Sequence, residues 1–240
     1  MNPIGVVICN YNKKDFVLQC VQSVLESKEK NFDIYVVDNA SSDGSAEALK
    51  KAYGNRITVI ENKENLGGSG GFNTGLRIVR DKGYSYFMCL DDDAAVDENA
   101  LSVLYHYMEE HTDTGMAGCR VYHTQMSDYI QQSGLLIDFD NCTAKTIGAD
   151  MPEDGSLPDV IECDTVATCA VMVRADTVKQ KGVGIMPEDN FIYWDDMEWG
   201  YRIKLAGYRV VTLAEAKALH QMGANTKKEN TFINYYMWRN

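Results

Sequence analysis

The chain has 240 residues, 45% of them hydrophobic, and its formal net charge is -12 at pH 7. This length and apolar content can bury one sizeable core, so we expect a single domain. The negative charge argues against nucleic acid as a partner, because that ligand requires a basic face that displaces counterions. A phosphate-bearing ligand would have to be held locally, by a cation or by backbone amides.

The seven cysteines are odd in number and show no CxxC spacing. This usage is typical of reduced, buried thiols in a cytosolic protein and argues against disulfides or a zinc site. The first residues do not make a signal peptide, and no run approaches the roughly 20 apolar residues of a membrane span. We therefore expect a soluble, cytoplasmic protein, with peripheral attachment to a membrane surface left open.

The first half alternates β-branched runs with amphipathic stretches, in the order βαβαβαβ. The runs predict strands buried on both faces, and apolar residues at three-to-four spacing between them predict covering helices. The predicted fold class is α/β, an open, doubly wound and mostly parallel sheet whose ligands bind at the carboxyl ends of the strands. The four predicted strands are 4–9, 34–38, 57–61 and 86–90.

The pattern loosens from 123 to 162, which predicts a small region of mixed structure. Residues 167–174 predict another strand, followed by a helix to about Lys181. A further helix is expected to end at Gly207, a residue type suited to the left-handed conformation after a helix, and a final strand leads to His220. The aromatic ending "NYYMWRN" has helical character and suggests that the natural protein is longer.

A glycine-rich stretch, "NLGGSGGFNTG", spans 65–75. It has neither the GxGxxG spacing of a dinucleotide site nor the GK[ST] of a phosphate-binding loop. Two interpretations remain open: a flexible turn before a helix, or a close backbone approach to a nucleotide with Asn65 and Asn73 as side-chain partners.

The stretch "DNASSDGS" at 38–45 resembles a calcium loop, but its glycine and acidic positions do not fit that spacing. A capped helix start explains it better, with Ser42, Asp43 or Ser45 accepting from the first free amides. Asp38 lies at the predicted strand end itself and could reach a base or a ribose.

Three adjacent aspartates, Asp91, Asp92 and Asp93, follow the fourth predicted strand. Acidic turns are common, but alternate carboxylates in a loop can hold a divalent ion, and hard oxygen ligands suit Mg²⁺ or Mn²⁺. Their place at a central strand end, in an acidic chain that needs a local cation for phosphate, favours the metal. Asp93 is the expected metal ligand, Asp91 is expected to bind the metal or the nucleotide, and Asp92 is expected to do little more than keep the loop solvated.

The stretch "YWDDMEW" at 193–199 places carboxylates between tryptophans. An acidic first helical turn is favoured by the helix dipole, which explains the carboxylates but not their aromatic neighbours. An aromatic platform beside a carboxylate commonly holds a sugar ring, and apolar neighbours would raise the pKa of that carboxylate toward the range of a base. A lone histidine such as His220 is more often a core or surface residue than a ligand.

Six stretches in this order resemble glycosyltransferase family 2, the inverting transferases with a GT-A fold, and look most like its bacterial galactofuranosyltransferase and rhamnosyltransferase branch. The stretches are "VVICNYNK", "YVVDNASSDGS", "ENLGGSGGFNTG", "FMCLDDDA", "FIYWDDMEWGYRIKLAGY" and "ALHQMG". The resemblance implies one catalytic domain over 1–240, with a nucleotide-binding half (1–122) and an acceptor-binding half (123–240).

The resemblance also implies roles for single residues. Asp196 is the general base, and Asp195 is the second catalytic carboxylate, orienting the base or the acceptor. The metal, Mn²⁺ or Mg²⁺, is held by Asp93, Asp91 and His220. The donor-binding residues are Asn10, Asp38, Asn65, Gly70, Gly71, Asp91 and Asp92, and the acceptor-binding residues are Trp194, Glu198 and Trp199.

The implied donor is a UDP- or dTDP-sugar, and the implied acceptor is a saccharide or a lipid-linked sugar. Two alternatives stay open: a catalytically inactive module that binds nucleotide sugars, and a nucleotidyltransferase with a similar sheet. The set of Asp91, Asp93, Asp196 and His220 argues against the first, since a non-catalytic protein needs no base. The absence of basic residues from 65–75 argues against the second.

Overall fold

The computed structural model describes residues 3–221 and 231–240. Its strands are β1 Ile4–Asn10, β2 Phe32–Asp38, β3 Thr58–Glu61, β4 Tyr86–Asp91, β5 Ala94–Val96, β6 Thr114–His123, β7 Met126–Gln132, β8 Leu135–Asp138, β9 Thr143–Thr146, β10 Met151–Pro152, β11 Val160–Glu162, β12 Ala170–Arg174 and β13 Arg209–His220. Its α-helices are α1 Lys14–Glu26, α2 Ser45–Tyr53, α3 Gly67–Lys82, α4 Ala100–Glu110, α5 Asp195–Leu205 and α6 Thr231–Arg239.

The four predicted strands of the first half form a parallel sheet in the order β3-β2-β1-β4. In register, Asn10 pairs with Asp38, and Cys9 pairs with Asp91. Antiparallel β12 continues the sheet beyond β4 and is followed by β6, β7 and β10, while β13 runs parallel to β6 and pairs with β5 and β11. The carboxyl ends of β1, β2 and β4 therefore meet at one edge, as predicted.

Helices cover both faces of the sheet, which confirms the doubly wound α/β class. On one face α1, α2 and α4 bury residues such as Val17, Leu49 and Leu104. On the other face α3 and α5 bury Leu76 and Trp199. All five side chains are fully buried, so burial of these apolar helix faces contributes much of the stability of the fold.

Two details of the predicted elements are wrong. The strand at 57–61 was expected to be buried on both faces, but β3 is the edge strand of the parallel sheet and exposes Thr58 and Glu61. The strand β12 is not followed by a helix to Lys181 but only by the short 3-10 turn Thr177–Lys179. Gly182 and Gly184 take positive φ values just beyond that turn, which is incompatible with a continuing helix.

Other local predictions are confirmed. Gly207 takes a φ of +91° two residues after α5, and the aromatic ending forms α6. Asp43 Oδ1 accepts a hydrogen bond of 3.0 Å from the Ser45 amide at the start of α2, as the capping interpretation expected. Its Oδ2 also accepts from the Lys14 amide at the start of α1. The Asp43 carboxylate therefore accepts hydrogen bonds from the first turns of both α1 and α2.

The region 123–162 is mixed, as predicted, and consists of short antiparallel strands that include the β8–β9 hairpin. Each cysteine is a free thiol; Cys142 is exposed, Cys9 is half-buried, and the other five are buried. Within the described residues, no helix combines the length and apolarity that a membrane crossing requires.

Candidate active site

The carboxyl ends of β1 and β2 carry a buried pair of polar residues. Asn10 Nδ2 donates to Asp38 Oδ1 at 2.8 Å and to Ser41 Oγ at 3.1 Å, and Asp38 Oδ2 accepts from the Ser41 amide. Asn10 is 0% and Asp38 is 3% exposed. Within the described residues, Asn10 Oδ1 has no hydrogen-bond partner, so this pair retains one unused buried acceptor at the predicted donor site.

Asp91, Asp93 and His220 come together although they belong to different strands and loops. Their candidate ligand atoms lie within 4.8 Å of one another. His220 Nε2 is 3.3 Å from Asp93 Oδ1 and 3.7 Å from Asp91 Oδ2. Among the described residues, no donor makes a well-formed hydrogen bond to the buried Asp93 Oδ1. Two carboxylates and an imidazole with such an unused oxygen fit a divalent cation of the Mn²⁺ type.

Lys13 joins this cluster, and sequence reasoning missed its role. Its ammonium lies 3.0 Å from Asp92 Oδ1 and 2.6 Å from Asp93 Oδ2. Burial alone would lower the pKa of Lys13, but the charges of Asp92 and Asp93 outweigh it and raise that pKa. Lys13 therefore places a positive charge beside the acidic groups of this edge.

Asp92 does not keep the loop solvated, and that part of the prediction is wrong. It is only 5% exposed, and besides Lys13 its carboxylate accepts from the Tyr11 amide at 3.0 Å. Burial raises the pKa of Asp92 to about 6, although Lys13 acts in the opposite direction. Asp92 thus ties the loop after β4 to the loop after β1, and a contact with the donor stays a prediction.

Gln131 contacts the imidazole of the cluster and was also missed from the sequence. Its Oε1 is 2.7 Å from His220 Nδ1, and its Nε2 donates to the backbone oxygen of His220 at 3.2 Å. It lies in the region 123–162, where the sequence shows no motif that would single it out.

The acidic pair Asp195 and Asp196 begins α5 and faces the same edge of the sheet. Asp195 Oδ2 accepts from Ser69 Oγ on α3 at 2.8 Å, and Asp196 Oδ1 accepts from the Met197 amide at 2.8 Å. Burial raises the pKa of Asp196 to about 7, the charge of Asp195 adds to this, and Asp91 contributes further. A carboxyl group with a raised pKa, close enough to Asp91 for that charge to contribute, fits the predicted role of general base.

The segment before this pair has an unusual backbone. Phe191, Tyr193 and Trp194 have backbone φ values of +63°, +64° and +66°, which residues other than glycine rarely adopt. Such conformations persist only where surrounding contacts enforce them, and they concentrate at functional sites. Here the Gly68 amide donates to the Phe191 oxygen at 2.7 Å, and Trp194 Nε1 donates to the Met237 oxygen of α6 at 3.2 Å. Trp194 is half-exposed and directly precedes the acidic pair, and its contact with the acceptor stays a prediction.

One predicted acceptor-binding residue, Trp199, lies in the core. Trp199 is 0% exposed, packs in the core between α5 and the sheet, and donates its indole N–H to the Gly184 oxygen at 3.0 Å. Its assignment to the acceptor is wrong, because a fully buried side chain cannot touch a saccharide. Glu198 is half-exposed and forms an ion pair with Arg202, one turn further along the helix, and its contact with the acceptor stays a prediction.

The glycine-rich stretch is not a flexible turn but the first turns of α3. A side chain on Gly71 would lie 2.4 Å from Cys9 Sγ of β1, and one on Gly70 would lie 2.7 Å from Leu66 Cβ. Packing of the helix against β1 therefore accounts for Gly71. Asn65 is exposed, and its Oδ1 accepts from the Gly67 amide at the start of α3. Donor contacts by Asn65, Gly70 and Gly71 stay predictions.

The chain has the GT-A fold. The mannosyltransferase PcManGT from Pyrobaculum calidifontis, solved in complex with GDP-Man and Mn²⁺, superposes with a TM-score of 0.67 at 16% identity, over 93% of this chain and 58% of that one. The model of the family described as Glycosyl transferase family 2 matches residues 5–171, well over half of the chain. The chain therefore belongs to glycosyl transferase family 2.

Two curated bacterial relatives are similar over part of the chain. The teichoic acid poly(glycerol phosphate) polymerase of Staphylococcus epidermidis is 26% identical over 146 residues, 59% of this chain and 19% of the relative. The UDP-Glc:alpha-D-GlcNAc-diphosphoundecaprenol beta-1,3-glucosyltransferase WfaP of Escherichia coli is 30% identical over 109 residues, 45% of this chain and 42% of the relative. The matches thus span less than half the length of either relative.

Proposed function

We propose that this chain is a metal-dependent, inverting glycosyltransferase that moves a sugar from a nucleoside diphosphate donor to an acceptor hydroxyl. The observation that carries the proposal is the arrangement at one edge of the sheet. A cluster of Asp91, Asp93 and His220, suited to a divalent cation, lies close enough to Asp196 for the charge of Asp91 to raise the pKa of that carboxyl.

The donor side of the reaction involves the residues after β1 and β4. Asp91, Asp93 and His220 would hold Mn²⁺ or Mg²⁺, which when bound offsets the negative charge that develops on the departing nucleoside diphosphate. Lys13 adds a positive charge at the same place through its contacts with Asp92 and Asp93. These local cations allow an acidic chain to bind an anionic donor.

The acceptor side involves the start of α5. The Asp196 carboxylate takes the proton of the acceptor hydroxyl while that oxygen attacks the anomeric carbon opposite the leaving group. The new carbon–oxygen bond forms as the bond to the diphosphate breaks, so one displacement inverts the anomeric centre without a covalent intermediate. Asp195, held by Ser69, orients the acceptor or the base, and Trp194 offers a half-exposed aromatic face to a sugar.

The relatives guide the proposal for substrates. One is named for teichoic acid synthesis and the other for glucosyl transfer from UDP-Glc to a diphosphoundecaprenol-linked sugar. These names support our proposal of a nucleotide-sugar donor, UDP- or dTDP-linked, and of a cell-surface polysaccharide or glycolipid acceptor; galactofuranose or rhamnose as the first candidate sugars rest on the sequence resemblance alone. Residues 1–122 would bind the donor, and residues 123–240 would bind the acceptor. The reaction would take place at the cytoplasmic face of a membrane.

The test compares the parent protein with Asp196→Asn and with a control, Asp189→Asn, which removes the same charge from an exposed position on the same segment. Release of nucleoside diphosphate is measured over a panel of UDP- and dTDP-sugars with Mn²⁺, and donor binding is measured by thermal protection. Asp196→Asn should lose about 10²- to 10⁴-fold in turnover and keep donor binding, because only the base is removed. Normal turnover in this variant would refute the assignment.

The metal is tested separately with a chelator. EDTA should abolish transfer by the parent protein, and Mn²⁺ or Mg²⁺ should restore it, because the leaving diphosphate then regains its counter-charge. Full activity in EDTA would refute the proposal that Asp93 and His220 bind a metal needed for transfer.

A further inference from the structure

Gln131 holds His220 through both ends of its amide, and these two contacts determine the orientation of the amide. The backbone oxygen of His220 can only accept a hydrogen bond, so the amide nitrogen of Gln131, 3.2 Å away, must face it. The amide oxygen then faces His220 Nδ1 at 2.7 Å. Because that oxygen can only accept, Nδ1 of His220 carries a proton.

This hydrogen bond determines which nitrogen of the ring faces the carboxylates. With Nδ1 bound to Gln131, Nε2 is directed toward Asp93 Oδ1 at 3.3 Å and Asp91 Oδ2 at 3.7 Å. A neutral imidazole protonated at Nδ1 presents the lone pair of Nε2, the form in which histidine binds a metal.

The backbone of β7 is irregular at this residue. Gln132 pairs with Val121, and Ile130 pairs with Tyr122, so two consecutive residues of β6 face three consecutive residues of β7. Gln131 is thus the extra residue of a β-bulge, and bulges redirect side chains near functional sites. Both Ile130 and Gln131 are buried, at 1% and 7% exposure, whereas a regular strand would turn them to opposite faces.

We propose that Gln131 is a positioning residue that sets the tautomer and ring orientation of His220, so that Nε2 is available to the divalent cation. This inference rests on the proposed function, because it requires His220 to be a metal ligand. It adds a residue from the mixed region 123–162 to the donor side of the site.

The test measures Mn²⁺ affinity directly, from the electron paramagnetic resonance signal of free Mn²⁺, with no substrate present. Gln131→Leu removes both hydrogen bonds and should weaken Mn²⁺ binding about 10- to 100-fold, as is typical when such a supporting partner is lost. Gln131→Glu keeps an acceptor for Nδ1 but loses the donor to the His220 oxygen, so it should bind Mn²⁺ more weakly than the parent and more tightly than Gln131→Leu. The control is Gln132→Leu on the same strand, whose amide contacts Cys169 Sγ instead; it should bind Mn²⁺ like the parent.

Two further measurements separate positioning from misfolding. Thermal unfolding without metal shows whether each variant is folded, and the rescue by Gln131→Glu would be absent if the Leu variant were merely unstable. Nitrogen-15 spectra of the imidazole, assigned with His220→Ala, should show Nδ1 protonated in the parent and a mixture of tautomers in Gln131→Leu. Equal Mn²⁺ affinity of Gln131→Leu and Gln132→Leu would overturn the inference, and so would a Gln131→Glu variant as weak as the Leu variant.

The same titration on His220→Ala distinguishes this inference from the proposed function. Parental Mn²⁺ affinity in His220→Ala would refute the metal role of the histidine and, with it, the role of Gln131. Weak binding in His220→Ala combined with parental binding in Gln131→Leu would refute the role of Gln131 alone.

Discussion

The pH dependence of transfer tests the proposed base most sharply. Burial raises the pKa of Asp196 to about 7, and the charge of Asp195 adds to the effect. A base acts only when unprotonated, so below pH 7 the rate should fall about tenfold for each pH unit. At pH 6 only a minority of molecules would carry the active carboxylate, whereas an ordinary aspartate would remain ionised down to about pH 4.

The informative perturbation is Asp195→Asn. It removes a neighbouring negative charge that disfavours ionisation of Asp196 and keeps an amide oxygen that can accept from Ser69 Oγ. The acidic limb of the rate profile should therefore move to lower pH. It should stay above the range of an ordinary aspartate, because burial, the larger cause, remains.

The assay is kcat and kcat/KM between pH 5 and 9, with Mn²⁺ saturating at each pH, since protons compete with metal for His220. The exposed Asp189→Asn serves as the control and should leave the limb where it is in the parent protein. A parental rate that does not fall between pH 7 and pH 5, or a limb that does not move in Asp195→Asn, would contradict a base whose pKa is raised by burial and by the charge of Asp195.

Two further predictions concern residues that pack rather than react. Trp199→Ala should lower the free energy of unfolding by about 3–5 kcal/mol, measured by urea denaturation, because the indole is fully buried. Parental stability combined with a raised KM for acceptor would restore its predicted acceptor role. Gly71→Ala should lower the free energy of unfolding by about 1–3 kcal/mol, because its new Cβ would lie 2.4 Å from Cys9 Sγ, and parental stability of this variant would argue against the clash.

Much of the site could be predicted because it lies at strand ends. Asp91 and Asp93 follow an apolar run, and the parallel order predicted that this run ends at the same edge of the sheet as the strand before Asn10; in the structure the two strands are neighbours. His220 was harder to place from the pattern, since a lone histidine at the end of a strand has no local signature. It was assigned through the family resemblance, and the structure brings it within 3.3 Å of Asp93.

The errors share a physical cause. Trp199 and Trp194 are similar in sequence context, each next to carboxylates, yet α5 turns one into the core and leaves the other half-exposed. Helical periodicity relates residues on one helix to each other, but which face meets the sheet depends on the docking of the whole helix. The buried Asp92 was misjudged for the same reason, because its partners Tyr11 and Lys13 are distant in sequence.

The α/β class, the edge of the sheet that carries the site and the acidic groups placed there could be predicted from local patterns, because strand and helix periods and turn residues are local properties of the chain. The edge position of β3, the burial of Trp199 and the contacts of Lys13 and Gln131 with the cluster became visible only in the folded chain. These features arise from contacts between distant segments, and the bulge that directs Gln131 toward His220 exists only once β7 pairs with β6.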